Sequence, residues 1–144
     1  MLGVMTTTAE SGRELRMATL RLARRLRAEK SSEELSDAHF SVLAWLHVHG
    51  AHTLSELAER EHVSAPSMNR TVNGLELAGY LTRSAHPEDR RKLVIELTAA
   101  GTATVTETIQ LRDAWLTGQL ELLTAEERGT LAAAADIMRR LATQ

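Results

Sequence analysis

Two short groups of residues carry most of the chemistry this chain can offer. The first is Ser64, Pro66, Ser67, Asn69, Arg70 and Asn73. Its hydroxyls, amides and guanidinium are short or planar hydrogen bonders suited to base edges. Asparagine can pair bidentately with adenine, and arginine with guanine or phosphate. The second group is Asp89, Arg90, Arg91 and Lys92, three consecutive cations behind one acid. Long cationic side chains on a turn can enter the narrow minor groove of a duplex, where negative potential is focused. An aspartate is out of place beside phosphate unless it orients an arginine by a charge-assisted hydrogen bond. Taken alone, the first group also suits a plain solvated helix face and the second a solvated turn. The elements around them decide.

Those elements have the patterns needed to hold both groups. Thr53-Leu54-Ser55-Glu56 is a capping box that opens a short helix with Leu54, Leu57 and Ala58 inward. His62-Val63 forms a turn, and Ser64 caps the next helix. Pro66 falls in its first turn, where a missing N–H costs nothing. Met68, Val72 and Leu75 recur at i, i+4 and i+7 and face inward, leaving Ser67, Arg70 and Asn73 off that stripe. Ala78-Gly79 ends the helix. Tyr80 to Arg83 predicts one strand and Lys92 to Leu97 a second, where Leu93, Ile95 and Leu97 alternate with Lys92, Val94 and Glu96. Two helices joined by a tight turn and followed by a basic-tipped hairpin make a winged helix-turn-helix, an arrangement that usually binds duplex DNA.

Helical pattern dominates the rest. Residues 12–29 place Leu15, Leu22 and Leu26 on one stripe with Met17 and Leu20 beside it, and Ser31-Ser32 breaks that helix. Ser36 caps a second helix, with Phe40, Leu43, Ala44 and His47 at helical spacing and Gly50 at its end. Thr98 caps a long helix bearing Val105, Ile109, Leu116, Leu120 and Leu123. A capping box at Thr124 to Glu127 opens the last one, with Leu131, Ala135, Met138 and Leu141. The expected fold is mainly α with a small β-hairpin wing, one unit over 1–144. Residues 36–98 form the winged lobe, and 1–35 and 99–144 supply helices whose apolar stripes have no obvious partner within one chain. A second copy is the simplest cover, so the helices are read as dimerisation helices of a homodimer.

Composition limits the alternatives. The chain has 144 residues, no cysteine and a net charge of −2, with 43% apolar and 3% aromatic residues. Disulfides and thiolate chemistry are therefore out. The charge is unevenly placed. Residues 11–30 carry seven cations against two acids, 31–61 one against six, and 62–98 five against four. Phosphate binding depends on where the cations sit, so an acidic far side does not forbid it, although the footprint is weak. No apolar run approaches the length of a membrane span, and Met1 to Glu10 lack a signal-peptide pattern. The expectation is a cytoplasmic protein without membrane contact. No Ser/His/Asp order, glycine-rich phosphate loop or paired acidic site stands out, so an enzyme is not expected. His47, His49 and His52 match no strong ligand spacing, and neither a metal nor a cofactor is expected. His39 and His62 read as hydrogen bonders at helix ends. The first-helix arginines Arg13, Arg16, Arg24 and Arg27 read as a solvated edge rather than as contacts to flanking DNA.

With these motifs in place the chain resembles a MarR-family transcription regulator. The wing motif of that family, D-x-R followed by L-T, is matched by Asp89-Arg90-Arg91 and Leu97-Thr98-Ala99-Ala100-Gly101. Its helix-turn-helix pattern is matched by Leu54-Ser55-Glu56-Leu57-Ala58, Val63-Ser64, and Arg70 through Leu75-Glu76 to Gly79-Tyr80-Leu81. The resemblance covers 53–101 by motif and the whole chain by length and helix order. It implies a triangular homodimer, with outer helices at the interface and two winged lobes on a pseudo-palindromic operator. It also implies that Arg91 enters the minor groove while Asp89 steadies the wing. Asn69 replaces the threonine usual before the arginine. Gly74 stands where a long cation is common, which points equally to close helix packing or to a missing phosphate contact.

Regulators of this family often hold a small aromatic or lipophilic effector between the lobe and the dimer helices. Met17, Phe40 and Trp45 are the candidate lining residues, with plain core packing as the competing reading. The leading expectation is a ligand-responsive, sequence-specific repressor. The alternatives are a weakly specific architectural DNA-binding protein and a protein-interaction module on the same scaffold.

Overall fold

The computed structural model describes residues 6–144. Its elements run α1 (Thr8–Ala28), α2 (Asp37–His49), β1 (His52–Thr53), α3 (Leu54–Arg60), α4 (Ala65–Leu77), β2 (Leu81–Ala85), β3 (Leu93–Leu97), α5 (Ala99–Glu121) and α6 (Ala125–Ala142). Every helix begins at a hydroxyl predicted from sequence or at an equivalent one. Thr7, Ser36, Thr53, Ser64, Thr98 and Thr124 each accept a hydrogen bond from the backbone N–H three residues on. These bonds satisfy donors that a helix start leaves unpaired. The reciprocal bond of a full capping box is present at Thr124–Glu127 and at Thr7–Glu10. At Thr53 only half of the box forms, and the Glu56 carboxylate lies 4.0 Å from the His52 imidazole instead.

The sheet is larger than the predicted hairpin. Three antiparallel strands run in the order β1-β3-β2, so β3 is central. His52 and Thr53 pair with Ile95 and Val94, and Leu81 to Ala85 pair with Leu97 to Leu93. The two-residue β1 is too short to show a period, which is why sequence pattern missed it. The alternation in β3 holds from Ile95 to Leu97, which packs against the core, and fails at the start of the strand. Ile95 is fully buried, whereas Leu93 pairs with the exposed Ala85 towards the hairpin tip and is itself exposed.

One apolar core lies between α2, α3, α4 and the sheet. Leu43, Leu46, Leu57, Met68, Val72, Leu75, Leu81 and Ile95 are buried in it, and Leu35 and Val105 extend it into the segments on either side. In α2 the buried face is Val42, Leu43 and Leu46. Of the residues expected at helical spacing, Leu43 is buried, Phe40 and Ala44 are half-buried, and His47 is exposed, off the inner face.

Gly101 joins the sheet to α5. A Cβ built there would lie 2.0 Å from the backbone oxygen of Tyr80. Thr98 closes the same corner, donating its N–H to the Tyr80 carbonyl at 3.1 Å and its hydroxyl to the Gly79 carbonyl at 2.6 Å. The end of α1 is tied to α5 by a second polar joint. The Ser31 N–H donates to Thr108 Oγ1 at 3.2 Å, and Arg112 Nε donates to the Glu29 carbonyl at 3.1 Å.

Candidate nucleic-acid interface

The tight turn between α3 and α4 is made as the sequence predicts. His62 takes a positive φ of 55°, and Val63 returns its N–H to the Ala58 carbonyl at 3.0 Å. Ser64 then caps α4, and Pro66 sits in its first turn. Met68, Val72 and Leu75 are buried on the inner side. Ser64, Pro66, Arg70 and Asn73 are exposed on the outer side, while Ser67 and Asn69 are half-buried. The candidates thus lie on the solvent side of a helix anchored by three apolar residues. α4 is built as a rod that can be presented endwise or sidewise to a groove.

The wing tip spans residues 86–92 between β2 and β3. His86 N–H donates to the Lys92 carbonyl at 2.9 Å, and Lys92 N–H to the Asp89 carbonyl at 3.0 Å. Arg90, Arg91 and Lys92 are exposed. Asp89 is half-buried and turned back on the wing. Its Oδ1 accepts from the Arg91 N–H at 3.1 Å and from Arg91 Nε at 3.4 Å. The carboxylate thus shapes the turn through the backbone and holds the base of an arginine whose side chain stays 92% exposed. Both candidate groups project from one lobe.

Arg83, which in the sequence is an ordinary strand residue, links them. It lies on β2 but reaches α4, donating from Nη1 to Asn69 Oδ1 at 3.2 Å and from Nη2 to Asn73 Oδ1. Its Nε lies 3.7 Å from Glu76 Oε2. Residues 69, 73 and 76 have the i, i+4, i+7 spacing of one helix stripe, adjacent to the apolar one. That spacing was visible in the sequence. The strand residue it receives was not, because pairing across a hairpin fixes which side chain arrives there.

Gly74 is not a packing requirement. A Cβ there would meet only the His39 ring, at an ordinary 3.9 Å. Close approach of a neighbouring helix therefore does not explain the glycine.

A cavity of about 390 Å³ lies behind the lobe, lined by Arg27, Phe40, Trp45, His49, Arg60 and Arg112 among others. Phe40 and Trp45 fall together there as the sequence reading grouped them. Met17 does not line it and lies on α1, partly exposed. Guanidiniums stack on both aromatic rings, Arg112 over Phe40 at 4.1 Å and Arg60 over Trp45 at 4.2 Å. Burial pulls Arg112 down from the usual arginine range; Asp37 opposes this, and Arg27 adds to it. His49 stacks on Trp45 with ring centroids 3.8 Å apart, and His52 Nδ1 donates to the Gly50 carbonyl at 2.8 Å. Among the described residues no three His, Asp or Glu side chains converge, and no helix is long and apolar enough to cross a membrane.

Comparison with known proteins agrees with this geometry. A sequence model of the MarR family matches residues 35–93, from the end of the α1–α2 loop to the first residue of β3. The HTH-type transcriptional regulator Mb0904 of Mycobacterium bovis is 34% identical over 138 residues, covering 96% of each chain. The HTH-type transcriptional repressor MdtR of Bacillus subtilis is 32% identical over 108 residues, covering 75% of this chain and 68% of its own. The crystal structure of RV1404 from Mycobacterium tuberculosis shares the fold, with a TM-score of 0.86, 23% identity and 96% coverage of both chains. A capped helix pair, a three-stranded wing and full-length kinship with HTH-type regulators give one result: this chain belongs to the MarR family of DNA-binding transcription regulators.

Proposed function

We propose that this regulator works as a homodimer that binds a pseudo-palindromic operator sequence-specifically and represses transcription until a small molecule releases it. One observation carries the reading. The polar outer face of α4 and the cationic wing tip project from the same lobe, so one can lie in a major groove while the other reaches the adjacent minor groove. Ser64, Pro66, Ser67, Asn69, Arg70 and Asn73 would face the major groove. Arg90, Arg91 and Lys92 would meet phosphate or minor groove, with Asp89 steadying Arg91. MdtR is named a repressor, and that kinship lends the sign of regulation to this proposal.

The dimer reading rests on α1 and α6, neither of which has a buried residue within one chain. The effector reading rests on the cavity lined by Phe40 and Trp45. It suits a small aromatic molecule, and the guanidiniums of Arg27, Arg60 and Arg112 favour one that carries negative charge. Such a molecule shifts operator affinity only if it binds better to the lobe spacing that misfits DNA.

The deciding experiment is selection of bound fragments from genomic DNA by the purified protein. The expected result is an inverted repeat with half-site centres about one helical turn, ~34 Å, apart. Equal retention of all fragments at moderate salt would instead identify a weakly specific architectural protein. Arg70→Ala and Arg91→Ala variants that bind DNA as well as the parent would leave only an interaction module.

A further inference from the structure

Arg83 belongs to the wing by position and to α4 by contact. An arginine offers only donors, so an amide facing it must present its oxygen. The Oδ1 atoms of both Asn69 and Asn73 are turned to the Arg83 guanidinium, and the Glu76 carboxylate faces its Nε at 3.7 Å, an ion pair beyond hydrogen-bond distance. The Arg83 side chain is 21% exposed, well shielded for a cation. The two amide NH2 groups are thereby directed away from it. Bidentate pairing of asparagine with adenine needs the amide oxygen to accept from the adenine N6 amino group while the NH2 donates to N7. Here each oxygen already gives one of its two lone pairs to Arg83, which fixes the oxygen on the Arg83 side and the NH2 on the other. The neighbouring Arg70 has donors only. Ser64 Oγ already accepts from the Ser67 N–H at 3.2 Å, which leaves its O–H to donate.

We propose that Arg83 is a positioning residue that holds the recognition helix in a donor-presenting state, so that Asn69 and Asn73 read guanine N7 and O6 rather than adenine. This rests on the proposed placement of α4 in the major groove and adds the chemical sense in which it reads. It also gives the wing strand a part in base choice without touching a base. Removing the guanidinium frees both amides to rotate and restores their accepting half.

The test compares fragment selection by the parent and by Arg83→Met, which keeps the length and apolar stem of the side chain. A thermal melt and sedimentation confirm that the variant is folded and assembled as the parent is. The parent is expected to enrich guanine in each half-site, and Arg83→Met to raise adenine against guanine at one or more of those positions at least fivefold. Base analogues give an independent measure on the unaltered protein. Replacing each half-site guanine with 7-deazaguanine, which lacks N7, is expected to weaken binding about tenfold at a read position. Replacing adenine with purine, which lacks the N6 amino group, is expected to change it less than twofold. An unchanged motif in Arg83→Met, or a tenfold loss on removing N6, overturns the inference while leaving the operator reading intact. Absence of any motif for the parent overturns the operator reading first.

Discussion

Asp89 stands among cations proposed to meet phosphate, and its two bonds to Arg91 explain why an acid is tolerable there. If it positions Arg91, Asp89→Ala lowers operator affinity despite removing a negative charge. A two- to fivefold loss, about 0.5–1 kcal/mol, is the expected size for an exposed ion pair. Fluorescence anisotropy on a labelled operator measures it, and a gain in affinity would show that Asp89 merely repels. Each of Arg90, Arg91 and Lys92 that neutralises a phosphate adds about 0.9 to the slope of log K against log salt. Arg91→Ala is therefore expected to flatten that slope by about this amount, read from titrations at several salt concentrations. The wing residues were legible because cations on a turn declare themselves by type. Arg83 was not, since a lone arginine in a strand gives no sign of which amides it will meet.

At the scale of elements, glycines separate freedom from necessity. Gly74 has room for a methyl, and in a helix interior alanine is favoured over glycine by about 1 kcal/mol. Gly74→Ala is expected to raise stability by roughly that amount in urea unfolding. Gly101 has no room, with Tyr80 backbone at 2.0 Å from a built Cβ. Gly101→Ala is expected to destabilise by about 3 kcal/mol, within the usual cost of overpacking, and the same unfolding curves would show it. The start of α1 responds to pH instead. Glu10 lies below the usual carboxylate range because it accepts from the Thr7 N–H at 2.7 Å and interacts with the Thr7 hydroxyl. Its contribution is present above the unfolded carboxylate value and is lost as pH falls through the lower folded one. Protection factors of the Glu10 and Ser11 amides, corrected for intrinsic exchange, should fall over that acidic window and stay constant near neutrality. Caps and apolar stripes made nearly every helix legible. β1 escaped because two residues have no period, and His47 misled because α2 is apolar on more than one side.

Over the whole molecule, the terminal helices leave much apolar surface uncovered. Leu15, Leu20 and Leu22 on α1 and Leu131, Ile137 and Leu141 on α6 are each about half exposed. Soluble chains seldom present contiguous apolar area of this kind without a partner. Sedimentation at micromolar concentration is expected to give twice the chain mass, and Leu20→Glu with Leu131→Glu to halve it. The monomeric variant should retain a folded lobe by circular dichroism yet lose operator affinity at least tenfold, since the second half-site no longer adds to binding. The sequence marked these stripes as unpartnered. The cavity is less legible, because it forms where Arg27, Phe40, Trp45, Arg60 and Arg112 meet from four separate helices, and only its aromatic members stand out in the sequence.

The contact between Gly101 and Tyr80 has a mechanical meaning. Most joints between packed elements contain side chains, whose rotamers take up small movements as a cushion does. Here main chain rests on main chain, one residue ahead of the strand that carries Arg83. A joint with so little play is expected to carry a tilt of the long helix to the wing strand beside it. On the proposed binding mode, a push on the long helix would be felt at the wing with little of the stroke lost on the way.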